Sequence, residues 1–268
     1  MTLFHLFIVA VIQGITEFLP VSSSGHLILL PKLTGMTDQG QVIDVAVHVG
    51  TLFAVVIYFW SDVRLAIGGV PRLLRGKVDT QGAWLAMCLI LATIPVVLFG
   101  FVLKVTGLDD AMRSVTVIGW TMLIFGLVLY WADQKGTQEK VASQWSIKDA
   151  FIMGLWQAIA LIPGTSRSGI TITAGRYLGY AREDAAKLAM LMSIPTILAG
   201  GTLLAIEVAA TAKTDLARDG AIAAVFAFIA AMLALTLMMR LLKSVSFTPY
   251  VIYRVILGIV LIWVGYTA

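Results

Sequence analysis

The sequence predicts an all-α integral membrane protein with six transmembrane helices and two re-entrant helical hairpins in an inverted-topology repeat. The first reason is composition, because the 268 residues are 59% hydrophobic and 13% charged, with a mean hydropathy of +0.94. Such values are typical of membrane proteins. The second reason is order along the chain: a polar motif between short apolar arms precedes three longer apolar segments, and this arrangement occurs twice.

The two polar motifs are the most informative stretches. Residues 13–26 read QGITEFLPVSSSGH, and residues 157–171 read QAIALIPGTSRSGIT. Their apolar flanks are shorter than the roughly 20 residues that a spanning helix needs. Polar backbone at membrane depth is tolerated only where it is buried in protein or lines a watery cavity. We therefore predict that each motif is the tip of a re-entrant hairpin and that both tips face one polar chamber.

The longer apolar segments predict the spans. They are Val42–Trp60, Trp84–Leu103, Val115–Trp131, Ala185–Val208, Ala221–Met239 and Pro249–Tyr266. A basic loop is expected after the first span, with Arg64, Arg72, Arg75 and Lys77, and a short loop, Lys104–Arg113, is expected after the second. The most polar segment, Asp133–Lys148, is expected to link two halves.

The halves resemble each other in sequence. Gln13 and Gln157 are 144 positions apart. Serines and glycines recur with the same offset: Ser22 and Ser166, Ser24 and Ser168, Gly25 and Gly169. We predict one membrane domain made of two repeats, residues 1–135 and 145–268. Because three spans are an odd number, the second repeat must enter from the opposite side, and the functional site is expected at the midplane.

Loop cations predict the orientation. One side carries Arg64, Arg72, Arg75, Lys77, Lys135, Lys140, Lys148, Arg176, Arg182, Lys187, Arg240, Lys243 and Arg254, and the other carries Lys32, Lys104, Arg113, Lys213 and Arg218. The richer side should be cytoplasmic, which places both termini outside and makes the first hairpin enter from outside. The formal charge of +4 then reflects topology, so nucleic-acid binding is not expected.

Arg167 dominates the chemistry of the second tip. A guanidinium keeps its charge and is costly at membrane depth unless it is paired. Ser166, Ser168 and Thr171 surround it after a Pro-Gly turn, and such a turn leading into a helix forms an anion cradle. Arginine adds bidentate recognition of phosphate oxygens. The alternative is that Arg167 only pairs with a carboxylate and locks the hairpins together.

The first tip supplies the complementary groups. Glu17 can bind a hard divalent cation, accept a proton or orient an imidazole, and Gln13 lies one helical turn earlier, where its carbonyl could complete a metal site. His26 is a candidate nucleophile or general acid–base, and Ser23 is a nucleophile if a base lies within reach. Ser22 alone is more typical of a helix cap. A purely structural pairing of Glu17 and His26 is the alternative.

Several other polar residues are less informative. His48, one turn after Asp44, is expected to be structural. An interfacial aromatic belt is expected from Tyr250, Tyr253, Trp263 and Tyr266. Arg254 is either extended towards the headgroups or directed into the phosphate site.

These motifs resemble those of the bacterial undecaprenyl-diphosphate phosphatases, also called the bacitracin-resistance protein family. The family's E/Q-x-x-x-E and P-V-S-S-[ST]-G-H runs match residues 13–17 and 20–26, and P-G-x-S-R-S-x-x-T matches residues 163–171. The carboxyl-terminal F-x-P-[FY]-x-x-Y-R matches residues 247–254. The resemblance covers essentially the whole chain. Gln13 departs from the many members that carry glutamate there, which removes one carboxylate from the expected metal position.

The resemblance implies an enzyme that removes the terminal phosphate of the C55 isoprenoid diphosphate and so recycles the lipid carrier of cell-wall synthesis. It implies a Mg²⁺ or Ca²⁺ cofactor and a site on the outer face of the bacterial cytoplasmic membrane. The implied catalytic residues are Glu17, Ser23, His26 and Arg167. The residues expected near the phosphates are Ser22, Ser166, Ser168, Thr171 and Arg254, and those expected at the metal are Gln13 and Glu17.

Other interpretations remain at this point. Inverted repeats with broken helices also occur in transporters, and a phosphatase that also flips lipid is compatible with the repeat. A phosphatidate-phosphatase-like enzyme is excluded because that family needs a histidine after the serine-arginine run, and no histidine follows Arg167. The choice between Ser23 and His26 as nucleophile stays open. The oligomeric state also stays open, and a homodimer is compatible with the sequence.

Overall fold

The computed structural model describes residues 1–35, 37–108, 112, 114–209 and 214–267, and this part of the chain is helical with short connections. Its α-helices are α1 Leu3–Phe18, α2 Ser23–Thr34, α3 Gly40–Tyr58, α4 Trp60–Leu74, α5 Gln81–Thr106, α6 Val115–Lys135, α7 Ile147–Ile159, α8 Arg167–Tyr177, α9 Arg182–Ala209, α10 Thr214–Leu241 and α11 Thr248–Thr267. A single 3-10 turn, Ala142–Gln144, lies in the link between the halves. Arg113 and Lys213, which entered the orientation argument, lie outside the described residues.

Six of these helices are long and apolar enough to cross a membrane, which confirms the number of spans predicted from the sequence. They are Gly40–Tyr58, Gln81–Thr106, Val115–Lys135, Arg182–Thr202, Ala217–Leu241 and Thr248–Thr267. Each overlaps one predicted segment. The agreement follows from the bilayer, because a span must satisfy its own backbone and present apolar side chains to lipid.

The predicted basic loop after the first span is wrong over most of its length, because residues 60–74 form helix α4. Val63, Ala66 and Gly69 are buried at helical spacing on one face of this helix. At Gly69 an added Cβ would lie 2.0 Å from the backbone of Gly82, so α4 packs closely on the start of α5. The sequence did not indicate a helix here because the arginines are interspersed among the apolar residues along the chain.

The helices on either side of each polar motif are short. Helices α1 and α2 have 16 and 12 residues, and α7 and α8 have 13 and 11. At 1.5 Å per residue, even the longest of them is about 24 Å, less than the roughly 30 Å of a hydrocarbon core. Each motif therefore lies between two helices that are individually too short to span.

The two halves of the chain pack into each other. Helix α1 packs against α10 of the second half, and α7 packs against α5 of the first. One core cluster contains Leu6 of α1, Val47 of α3 and Ala227 of α10. The halves therefore share their apolar core, and this arrangement brings residues 13–26 and 157–171 into the same region.

Two of the cations counted in the orientation argument are inside the protein. Arg176 and Arg254 are both 0% exposed. Arg176 donates through Nε to Asp133 Oδ1 at 3.0 Å, and Arg182 Nε donates to the same oxygen at 2.8 Å. The other oxygen of Asp133 accepts from the backbone N–H of Phe247 at 3.2 Å. This cluster ties the ends of α6 and α8 to the starts of α9 and α11.

Candidate active site at the two polar tips

Both tips contain the same unusual backbone turn. Ser22 has φ 73° and Ser166 has φ 71°, and they are the non-glycine residues with positive φ in the described part of the chain. Each hydroxyl accepts a hydrogen bond from a backbone N–H three residues later, from Gly25 at 3.3 Å and from Gly169 at 3.1 Å. A positive φ costs an L-residue about 1–3 kcal/mol and persists where the surroundings enforce it, often at functional sites.

Glu17 is the junction of the two tips. Its Oε2 accepts hydrogen bonds from Gln13 Nε2 at 2.8 Å and from Ser23 Oγ at 2.6 Å. Its Oε1 accepts from Arg167 Nη2 at 2.5 Å. Glu17 is 7% exposed, so this carboxylate is satisfied almost entirely by protein donors. The structure thus brings together four of the residues singled out in the sequence, three from the first tip and one from the second.

Arg167 forms an ion pair with the carboxylate of Glu17, as expected if it only locks the hairpins together. In that ion pair Arg167 uses one of its two terminal guanidinium nitrogens, Nη2. Its Nη1 is buried and has no hydrogen-bond partner in the described structure. A buried guanidinium nitrogen without an acceptor is costly. A ligand oxygen at Nη1 would remove this cost while Nη2 stays on Glu17.

Further hydrogen bonds join the tips through the backbone. Ser168 Oγ donates to the carbonyl of Leu19 at 2.8 Å. The buried Arg254 donates to five carbonyls, those of Pro20, Thr121, Met122, Gly164 and Thr165. Its side chain therefore does not extend towards the headgroups, and these bonds stabilise both turns. A contact between Arg254 and phosphate stays a prediction.

The remaining hydroxyls predicted near the phosphates form local bonds. Ser166 Oγ lies 3.1 Å from Ser168 Oγ, and Ser22 Oγ lies 3.4 Å from Ser24 Oγ. Thr171 Oγ1 donates to the carbonyl of Arg167 at 2.8 Å within α8. Their roles in substrate binding stay predictions.

His26 bonds to a residue that the sequence assigned only to the interfacial aromatic belt. Its Nδ1 lies 2.7 Å from the carbonyl of Ser22, and its Nε2 lies 2.5 Å from the hydroxyl of Tyr253. The two rings are stacked, with centroids 5.7 Å apart. Because a carbonyl can only accept, Nδ1 carries the proton, and in the neutral ring Nε2 accepts from Tyr253. The sequence signal was the position of Tyr253 directly before Arg254 in the carboxyl-terminal motif.

His48 lies beside the same junction, although the sequence favoured a purely structural role. Its Nε2 is 3.8 Å from Glu17 Oε2, and its Nδ1 bonds to the carbonyl of Asp44 at 2.7 Å. With Glu17, Arg167 and Thr196 it lines a cavity of about 250 Å³ between α3 and α9. The spacing of Asp44 and His48 placed both on one face of α3 but could not indicate that Glu17 would pack there.

A hard divalent cation prefers oxygen ligands, and the candidates beside the junction are the Glu17 carboxylate and the amide oxygen of Gln13. Gln13 Oε1 is buried and has no partner in the described structure. Among the described residues no group of three His, Cys, Asp or Glu could hold a metal ion, so a cation would depend on Glu17, on neutral oxygens and on the substrate. Gln157 Oε1 also lacks a partner, but Leu161 stands where the first tip has Glu17, so only the first tip offers a carboxylate.

Comparison with known proteins agrees with these motifs. Residues 6–260 match the family described as bacitracin resistance protein BacA. The chain is 71% identical to the undecaprenyl-diphosphatase of Dinoroseobacter shibae over 267 residues, which covers 100% of both chains. It is 69% identical to that of Roseobacter denitrificans over 267 residues, again with 100% coverage of both. It is 44% identical to that of Chromohalobacter salexigens, covering 97% of this chain and 98% of the relative.

Proposed function

The chain belongs to the bacitracin resistance protein BacA family, and from this premise we propose that its Glu17–Arg167 junction is the active site of an undecaprenyl-diphosphate phosphatase. The enzyme hydrolyses the terminal phosphate of the C55 isoprenoid diphosphate, giving the lipid monophosphate and inorganic phosphate. The product is the lipid carrier of cell-wall synthesis, and its recycling accounts for bacitracin resistance. The observation that carries the proposal is the contact between Ser23, Glu17 and Arg167.

The geometry favours Ser23 over His26 as the nucleophile. Ser23 Oγ already donates to Glu17 at 2.6 Å, which is the pairing of hydroxyl and base that activates a serine. Nε2 of His26, in contrast, accepts a hydrogen bond from Tyr253. An attack by His26 would first require that bond to break.

The reaction then balances as two displacements. Glu17 takes the proton of Ser23 while Oγ forms a bond to the terminal phosphorus, and the bond to the bridging oxygen breaks with its electrons leaving on the lipid monophosphate. Arg167 holds non-bridging oxygens, where charge-assisted hydrogen bonds are strongest. In the second step the oxygen of a water molecule bonds to phosphorus as the bond between phosphorus and Ser23 Oγ breaks. Glu17 returns its proton to Oγ, and the proton of the water leaves on inorganic phosphate.

We also propose the divalent cation that the family resemblance implies. Glu17 and Gln13 would hold it, with phosphate oxygens completing its ligands. When bound, Mg²⁺ or Ca²⁺ would offset the negative charge of the diphosphate. Arg167 is the fixed cation of the site in either case.

For the architecture we propose two re-entrant hairpins related by an inverted repeat in the bacterial cytoplasmic membrane, with the site facing outward. The short lengths of α1, α2, α7 and α8 support the hairpins. The reciprocal packing of α1 on α10 and of α7 on α5 supports the repeat, because these pairs are equivalent under it. The cavity beside Glu17 is lined by Val45 and His48 near the start of α3 and by Thr196, Ile197, Gly200 and Gly201 beyond the middle of α9. In the predicted orientation both segments lie towards the extracytoplasmic ends of their helices.

Cysteine labelling tests this orientation. Lys77→Cys lies in the loop after α4 and should be shielded from an impermeant thiol reagent in intact cells, whereas Asp38→Cys, between α2 and α3, should react. The native Cys88 is fully buried and provides the unlabelled background. The reverse pattern would overturn the outward-facing site.

Phosphate release by the purified protein in detergent tests the function. The wild type should release phosphate from undecaprenyl diphosphate, whereas a transporter would carry out no chemistry. Rapid acid quenching should trap a phosphorylated enzyme, and peptide mapping should locate the phosphate on Ser23. A phosphohistidine at His26 would assign the nucleophile differently while leaving the phosphatase intact.

A further inference from the structure

The cavity beside the Glu17–Arg167 pair has a second wall that belongs to neither tip. Its volume is about 250 Å³, and α3 and α9 line it through His48, Thr196, Gly200 and Gly201. The charged pair lines it from the tips, and a histidine and two consecutive glycines line it from α3 and α9. None of these α3 and α9 residues belongs to the motifs that identified the site.

The two glycines are not needed for helix packing. An added Cβ at Gly200 or Gly201 would meet no atom within 4 Å. At Gly50 of α3, in contrast, an added Cβ would lie 2.1 Å from the carbonyl oxygen of Ala224. A glycine inside a helix costs about 1 kcal/mol relative to alanine. Consecutive glycines without a packing requirement leave space along the cavity wall, and side chains there would fill it.

His48 presents one ring nitrogen beside the junction. Nδ1 donates to the carbonyl of Asp44 at 2.7 Å, so Nε2 is the atom left for other interactions. Nε2 lies 3.8 Å from Glu17 Oε2, and the side chain is 38% exposed. The imidazole is therefore accessible, and its hydrogen bond to the backbone of α3 fixes its orientation.

We propose that this cavity is the receiving pocket for the terminal phosphate, with His48 Nε2 as an additional phosphate ligand and Gly200–Gly201 as the residues that set its size. The inference rests on the proposed phosphatase function. Arg167 Nη1, which lacks a partner, would contact the phosphate from the tip side. His48 Nε2, which lies 3.8 Å from Glu17 Oε2, would contact it from α3. The glycines would admit a diphosphate and would exclude it if they carried side chains.

Inhibition by inorganic pyrophosphate tests the pocket, because this probe has the diphosphate group without the lipid tail. Gly201→Leu should raise its inhibition constant by roughly tenfold or more, since a methylene-scale misfit alone is worth that much. Gly200→Ala is the milder variant in case leucine impairs folding. Gly68→Leu on α4 is the matched control, because a Cβ there also meets nothing within 4 Å. It should leave the constant unchanged.

The histidine is tested in the same assay. His48→Ala should raise the inhibition constant by about tenfold, the scale of one hydrogen bond to an anion. His48→Gln, which keeps a polar group of similar reach, should restore part of the affinity. His5→Ala, near the start of α1, is the control because His5 does not line this cavity.

The two proposals fail in different ways. A wild-type protein that releases no phosphate from the lipid diphosphate would refute the phosphatase function. An active wild type whose pyrophosphate inhibition is unchanged by Gly201→Leu, Gly200→Ala and His48→Ala would refute the pocket alone. Selective loss in the cavity variants, with Gly68→Leu and His5→Ala unaffected, would support it.

Discussion

The two polar tips share a backbone and differ in their side chains. Ser22 and Ser166 have nearly the same positive φ and cap the following helix in the same way. The next residue is Ser23 in the first tip and Arg167 in the second, each the first residue of its helix. One turn has therefore been used to position a hydroxyl in one half and a cation in the other.

A second difference lies in the helix before each turn. Gln13 and Gln157 are both fully buried. Gln13 Nε2 donates to Glu17 at 2.8 Å, whereas Gln157 Nε2 donates to the carbonyl of Ala92 at 3.3 Å. The second tip has no carboxylate to match Glu17. We therefore propose that the shared polar residues build the tips and that the unshared ones, Glu17, Ser23 and Arg167, carry the chemistry.

The largest effect should come from removing the hydroxyl of Ser23, which has no counterpart in the second tip. We expect Ser23→Ala to lower kcat for lipid diphosphate hydrolysis by about 10³-fold or more, because both the nucleophile and the partner of its base are lost. Ser24→Ala on the same turn is the control and should retain most activity, because among the described residues the Ser24 hydroxyl bonds to that of Ser22 and not to Glu17 or Arg167. Equal losses in both variants would mean that the serines act only through the turn.

How much of this site the sequence could predict depends on where each residue lies. The spans and polar tips could be predicted because lipid restricts backbone and composition so strongly. The repeat offset led to the expectation that Glu17 and Arg167 meet, although they are 150 positions apart.

Tyr253 and His48 could not be placed in this way, because both lie on long apolar helices where a polar residue has several explanations. Tyr253 is 227 positions from His26, and no repeat relation connects them. Helix α4 was missed for a different reason. It buries only about one residue per turn, and its arginines suggested an exposed loop. Contacts between distant helices depend on packing angles that hydropathy does not encode.

Replacing Arg254, which donates hydrogen bonds to the backbone of both tips, should have the next largest effect. We expect that effect on the stability of the fold and not on the chemistry. Arg254→Met leaves the carbonyls of both turns without their donor, so we expect a loss of roughly 3 kcal/mol of stability, measured as a lower thermal midpoint in detergent. Arg64→Met on the exposed face of α4 should cause little change. If Arg254→Met melts normally but fails to bind phosphate, the residue acts on substrate as the sequence predicted.

Replacing Arg167, the cation that the first tip lacks, should lower catalysis less than replacing Ser23. Arg167→Lys keeps the charge but loses the paired donors, so transition-state stabilisation should fall by about 2 kcal/mol, roughly 30-fold in kcat/KM. Arg72→Lys is the control, because Arg72 pairs with Asp79 on the exposed surface. Near-normal turnover in Arg167→Lys with normal folding would support the locking interpretation of Arg167.

The smallest expected effect concerns a further contrast between the tips, because His26 corresponds to Ile170 in the second. We expect Tyr253→Phe to lower kcat about threefold to tenfold with little change in KM, the scale of one neutral hydrogen bond. The phenylalanine keeps the stacked ring while removing the hydroxyl that bonds to Nε2, so the loss reports the hydrogen bond and not the packing.

A chemical readout separates this role from a general structural one. Nε2 of His26 is blocked by the Tyr253 hydroxyl, so in Tyr253→Phe it should react faster with diethyl pyrocarbonate, as measured by mass spectrometry of the modified peptide. The labelling of His48, which does not contact Tyr253, is the internal reference and should stay constant. Unchanged labelling of His26 would mean that the hydrogen bond between Tyr253 and His26 does not form in the purified protein. Faster labelling with unchanged kcat would mean that the bond forms but that catalysis does not need His26 held in this tautomer, and the first tip would then depend on Glu17 and Ser23 alone.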